Sequence, residues 1–238
     1  MWIARTGIIA GKGVLSTLNT GIISAYNAEN TTNDSLTINN GTAVGGLTYT
    51  TGKIGDAFSF NGTTSYVNMG DVMDVGTGSW TYSCWFNTND STTGTIFSKA
   101  IAAFSVGRVW GGLYNNKLTF NFHAVGNVIY TEANTTISTN TWYHAIFMID
   151  RTNNLRIYIN GVFQTLTTTG GTNNIVGDTT NYNTNHPFRV GSYTAADNTS
   201  SSTLFNGEID AFNVWNRLLT NPEIAELYNS GIGKQYPY

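Results

Sequence analysis

Leu118, Phe120 and Phe122 alternate with Thr119, Asn121 and His123, and Leu155, Ile157 and Ile159 alternate with Arg156, Tyr158 and Asn160. A period of two puts every second side chain on one face, so these stretches suit strands with one buried face and do not suit amphipathic helices. Strand-like runs recur at 21–26, 57–60, 66–69, 80–86, 95–99, 104–109, 142–149, 188–190 and 208–215. Asn160-Gly161 lies between Ile159 and Val162 and is a hairpin signal, because both central residues of a type I′ turn need positive φ. Many short strands without interleaved helical patterns predict an antiparallel sandwich. One helix is expected near the C-terminus. Thr220 and Glu223 form a capping box around Pro222, Ile224, Leu227 and Tyr228 make one apolar stripe, and Gly231 ends it.

Hydrophobic residues make up 40% of the 238 positions, enough for a real core. Charged residues are 11% and the net charge is -3, so there is no basic footprint for duplex nucleic acid. No apolar run approaches the roughly 18 residues that a membrane-inserted helix needs. Cys84 is the one cysteine. It excludes an intrachain disulfide and reads as a small core residue in the strand at 80–86. Residues 1–20 are punctuated by glycine and lack clean periodicity. They are expected to be an arm or anchor, with one sandwich domain over 21–238. The N-terminal pattern does not have the layout of a secretory signal, so folding in a cytoplasm is expected.

Several runs together resemble a known family. They are Gly52-Lys-Ile-Gly-Asp-Ala-Phe-Ser-Phe-Asn-Gly-Thr-Thr-Ser-Tyr-Val67, the strand at 80–86, Thr141-Trp-Tyr-His144 with Leu155-Arg-Ile-Tyr-Ile-Asn-Gly-Val162, and Phe205-Asn-Gly-Glu-Ile-Asp210 through Tyr228. Asn33-Asp34-Ser35 falls near the family's early loop. Over residues 21–230 the chain resembles laminin G-like domains of the concanavalin A-like lectin and glucanase superfamily. The resemblance implies an all-β jelly-roll sandwich of two antiparallel sheets, one of them concave, with one short C-terminal helix. Family members are carbohydrate- or protein-binding modules, some relatives are glucanases, and many carry a structural calcium. The implied calcium ligands here are Asp210 and carbonyls near Asn27 and Gly62. The other reading of Asp210 is a hydrogen-bonded structural carboxylate.

Glu208-Ile209-Asp210 resembles the start of the catalytic motif of laminarinase-type glucanases. On a strand Glu208 and Asp210 share a face, but Phe212 and Asn213 stand where a third acidic residue belongs. A non-catalytic module is therefore expected, with a glucanase-like hydrolase as the alternative. His123, His144 and His186 lack zinc spacing, and His144 reads as a core histidine. Sugar binding calls for aromatic platforms beside amides and hydroxyls. Trp110, Tyr114, Tyr182, Tyr193 and Arg108 lie in Gly/Asn-rich stretches that read as loops and are the candidate ligand-binding residues. Trp110 reads equally well as a subunit contact. The polar loop at 167–187 is long enough to suggest function. Trp85, Ile146 and Met148 make one sheet face apolar, the kind of face that meets another chain.

These features lead to the expectation of a lectin-like surface module that binds glycan or a cell surface. The expected setting is a bacteriophage virion, as a structural, decoration or fibre protein made in the host cytoplasm. Its expected partners are other virion proteins or itself, in a closed oligomer such as a trimer. An extracellular location is the alternative.

Overall fold

The computed structural model describes residues 16–100, 106–194 and 201–238. The first strands are β1 (Ile22–Tyr26), β2 (Thr42–Val44), β3 (Thr48–Thr51), β4 (Asp56–Asn61), β5 (Tyr66–Gly70) and β6 (Trp80–Thr88). Next come β7 (Thr93–Lys99), β8 (Val109–Tyr114), β9 (Lys117–Ala124), β10 (Asn127–Thr136), β11 (Trp142–Ile149) and β12 (Leu155–Ile159). The last are β13 (Val162–Phe163), β14 (Leu166–Gly170), β15 (Phe188–Val190), β16 (Tyr193–Thr194), β17 (Ser201–Ser202) and β18 (Asn206–Trp215), followed by helix α1 (Asn221–Tyr228).

Two 8-stranded antiparallel sheets form the sandwich. One runs β13-β12-β11-β6-β18-β4-β3, with β1 paired to the second half of β18. The other runs β14-β10-β9-β8-β7-β15-β5-β2, and β16 and β17 make a small separate pair. The inward faces meet in an aromatic core. Tyr82 of the first sheet stacks on Phe97 of the second with centroids 4.5 Å apart, and Phe147 lies 5.3 Å from both Phe97 and Phe120. The residues predicted to alternate inward, Leu118, Phe120 and Phe122, are fully buried, as are Ile157 and nearly so Leu155 and Ile159. Cys84 is buried in this core, and burial pushes its thiol pKa well up. Asn160 and Gly161 both have positive φ and join β12 to β13 with Ile159 opposite Val162, as the hairpin signal requires.

The structure changes three expectations. The strand placed at 104–109 starts at Val109, because residues 106 and 107 form a turn in which Gly107 has φ 89°; residues 101–105 lie outside the described residues. The arm boundary at residue 20 also moves. Leu18 is fully buried, Trp215 Nε1 donates to its carbonyl at 2.7 Å, and Thr17 Oγ1 donates to Glu223 Oε1 at 2.6 Å. Residues 16–20 therefore belong to the domain, while 1–15 lie outside the described residues. Finally, the apolar face of Trp85, Ile146 and Met148 is covered by the chain itself. Ile146 and Met148 pack with Leu18, Trp215, Leu219, Ile224 and Leu227, and Trp85 stacks on Tyr228 at 5.8 Å. Burying each large apolar side chain contributes roughly 2 kcal/mol, which explains why a short helix stays docked there. The capping box is present, with Glu223 Oε2 accepting the Thr220 backbone N–H at 2.8 Å.

Candidate functional site

The outward face of the second sheet carries a cleft of about 530 Å³, lined by residues of β7 to β10, with Thr169 of β14 and with Tyr193 and Thr203 around the β16–β17 pair. Strand register builds its floor. Trp110 on β8 faces Asn121 on β9, which faces Tyr130 on β10; in the next row Gly112 faces Thr119, which faces Glu132. The inward residues of these strands fill the core, so the outward ones share one surface by pleat alone. Gly112 leaves room for the indole of Trp110, since a Cβ there would sit 2.8 Å from that ring.

Arg108 sits just before β8. Its guanidinium donates to the Tyr130 hydroxyl at 2.6 Å and lies 5.5 Å from the Tyr130 ring centroid and 5.6 Å from that of Tyr193. Burial raises the Tyr193 pKa, and the Arg108 charge works against that rise. Tyr114 is 52% exposed at the rim. The polar floor is unusual. Asn121 is 1% exposed, and among the described residues neither its amide oxygen nor its amide nitrogen has a hydrogen-bond partner. The buried hydroxyl of Thr119 also lacks one among the described residues. Buried polar groups are normally satisfied, so these atoms suit the hydroxyls of a bound molecule.

Four of the five residues expected to bind ligand, Arg108, Trp110, Tyr114 and Tyr193, therefore come together at this cleft. They do so from a strand, its ends and the β16–β17 pair, not from separate loops. Tyr182 does not join them. It is 2% exposed on the core side, edge-on to Phe122 at 5.0 Å, under the Arg151 guanidinium at 4.5 Å. Its hydroxyl donates to Asp178 and accepts the Val125 N–H, so Tyr182 pins the loop at 171–187; the expected loop start, 167–170, is instead part of strand β14. Sequence reasoning missed Asn121, Thr119, Tyr130 and Glu132. The signal for the first two was the outward half of the β9 alternation.

Glu208 and Asp210 share the outward face of β18 in the first sheet, away from this cleft. Asp210 is fully buried. Ile54 N–H donates to its Oδ2 at 2.8 Å, while Oδ1 meets no hydrogen-bond donor among the described residues. Burial pushes its pKa up to about 7 against the pull of backbone N–H groups, and Glu29 adds to the rise. Asn27 follows the last residue of β1, Tyr26, which pairs with Phe212 of β18, and among the described residues its buried amide oxygen has no hydrogen-bond partner. Both are hard oxygen atoms, the donor type that calcium takes. Gly62 does not belong with them. It lies at the opposite end of β18, where a Cβ would meet Asn206, and its N–H donates to Phe205 O. Among the described residues no three His, Cys, Asp or Glu side chains converge as a metal site. His144 is 2% exposed with Nε2 3.0 Å from Ser83 Oγ, and burial lowers its pKa to about 3.

The model of the concanavalin A-like lectin/glucanases superfamily matches residues 61–225. The chain belongs to this superfamily. No curated protein matches it. Among solved structures it is similar to domain 4 of AbnA, a GH43 extracellular arabinanase from Geobacillus stearothermophilus, in complex with arabinotriose. That match has a TM-score of 0.63 and 20% identity, and covers 90% of this chain and 98% of that one. The binding domain of Paraclostridial Mosquitocidal Protein 1 gives a TM-score of 0.65 at 15% identity, over 89% of this chain and 52% of that one. A structure concerning botulinum neurotoxin type C, whose cell entry depends on two ganglioside molecules, gives 0.64 at 18% identity, over 91% and 53%. The chain thus spans about half the length of these toxin structures. At such identities the likeness establishes the superfamily fold. Among the described residues no helix is long and apolar enough to cross a membrane.

Proposed function

We propose that the protein is a non-catalytic, lectin-like module that binds glycan in the cleft on the outer face of its second sheet. The observation that carries this reading is Asn121. A buried amide with a free donor and a free acceptor, set beside the Trp110, Tyr114 and Tyr193 rings, suits a sugar, which offers paired hydroxyls and an apolar ring face. Superfamily neighbours solved with arabinotriose or described as binding gangliosides support the same reading. The glucanase alternative has less support. Glycoside hydrolysis generally uses a pair of carboxyl groups across the bond, and Glu132 is the one carboxylate among the described lining residues. A glycan array probed with the full chain tests the proposal. Binding that Trp110→Ala and Asn121→Ala abolish supports it; binding that survives both places the site elsewhere, and turnover of a bound glycan overturns the non-catalytic reading.

We further propose a structural calcium held by the Asp210 carboxylate and the Asn27 amide oxygen, where it would compensate a buried negative charge. Display on a bacteriophage particle is the setting we propose for the module. That setting draws on the glycine-punctuated residues 1–15. Oligomer formation loses one of its arguments, since the apolar face that suggested it is covered by α1 and residues 16–20.

A further inference from the structure

Glu132 stands on β10 opposite Thr119 and two residues beyond Tyr130, so it shares the cleft floor with Asn121. Its side chain is partly exposed, and its carboxylate has no hydrogen-bond or ion-pair partner among the described residues. The one cation among the described lining residues, Arg108, is placed differently. It is 6% exposed, bonded to the Tyr130 hydroxyl and flanked by the Tyr130 and Tyr193 rings. The cleft therefore pairs an open negative charge with a covered positive one. A carboxylate accepts hydrogen bonds from sugar hydroxyls strongly. A carboxylate on the ligand would instead meet a like charge in a half-desolvated site, where repulsion is screened less than in water.

We propose that Glu132 is a specificity-determining residue that makes the cleft select uncharged glycans and turn away sialylated and uronic acid-containing ones. The inference rests on the reading of the cleft as a glycan site and adds the ligand class to it. Repulsive elements of this kind set specificity as much as attractive contacts do. The choice also separates two chemistries seen among the structural neighbours, a neutral arabinotriose and gangliosides.

The test is an array carrying neutral glycans and their sialylated or uronate counterparts in matched pairs, read with the full chain. Affinities are then measured for the best pair at low and high salt. The expected result is binding to neutral members, with acidic counterparts weaker by about tenfold or more at low salt. Glu132→Gln should narrow that gap to within about threefold, and high salt should narrow it in the unaltered protein. The salt series needs no variant, so it holds even if Glu132→Gln fails to fold. Equal or tighter binding of acidic members overturns the charge inference and leaves the glycan site standing. A gap that neither salt nor Glu132→Gln changes assigns the preference to shape and overturns the role of Glu132. Binding to neither class overturns the glycan site itself and this inference with it.

Discussion

The indole N–H of Trp110 donates to the Thr95 hydroxyl at 2.8 Å, and Gly112 leaves the space into which the ring reaches. The nitrogen is thus committed to the protein, and the ring that lines the cleft is held in a fixed orientation. A platform held this way costs little ordering on binding. Trp110→Ala should weaken glycan binding about tenfold or more, Trp110→Phe should retain part of the affinity, and Thr95→Val should lie between Trp110→Phe and the unaltered protein. Isothermal titration with the best array ligand measures all three.

Asn121 should trade stability for binding. Its buried amide makes no hydrogen bond among the described residues, so replacing it with an apolar side chain of similar size removes a desolvation penalty without breaking a contact. Asn121→Leu should raise the melting temperature by about 2–4 °C while ending glycan binding. A lower melting temperature would show that the amide supports the fold.

Tyr182 should behave in the opposite way. Tyr182→Phe removes the bonds to Asp178 and Val125 and should cost about 1–2 kcal/mol of stability with glycan affinity unchanged. Chemical denaturation together with a binding isotherm checks both halves, and lost affinity would return Tyr182 to the site.

Glu223 should set the acid limit for the docking of helix α1. Burial works to raise its pKa, but Arg217, Thr17 and Thr220 donate to the carboxylate and bring it down to about 2, from an ordinary 4.5. A folded-state pKa below the unfolded one gives stability that is complete above the ordinary carboxylate range and is lost as pH falls toward about 2. Glu223→Gln should lower the melting temperature at neutral pH and flatten its decline between about pH 5 and 2. A melting curve across pH with unchanged slope in the variant would assign the acid limit to other groups.

Calcium should stabilise the fold through Asp210. A ligand bound by the native state alone raises its stability by mass action. Millimolar calcium should raise the melting temperature, a chelator should lower it, and Asp210→Ala should remove the response. No response in the unaltered protein, with no calcium found by elemental analysis, would leave Asp210 as a structural carboxylate only.

The legibility of the site varied from strand to strand. β9 was plain because Leu118, Phe120 and Phe122 are large and apolar on one face. β10, which supplies Tyr130 and Glu132, was not, because its inward residues Ile129, Thr131 and Ala133 are mostly small or polar and give weak contrast. Tyr182 looked exposed because it sits among polar loop residues. Sequence distance from a strand says nothing about a loop that folds back over the core. Trp85, Ile146 and Met148 suggest a face that meets another chain, and α1 with residues 16–20 of the same chain covers it instead, because alternation marks an apolar face without saying what covers it.

By itself the sequence determined the two-faced strands, the Asn160-Gly161 turn and the Thr220–Glu223 cap, because each depends on the covalent geometry and side chains of residues a few positions apart. The tertiary structure alone decided that Trp110, Asn121 and Tyr130 form one row, that Tyr182 lies on the other side of that sheet, and that Leu18 and α1 close the outer face of the first. Those outcomes depend on which strands become neighbours, and strand order is chosen by the burial of surfaces far apart in the chain.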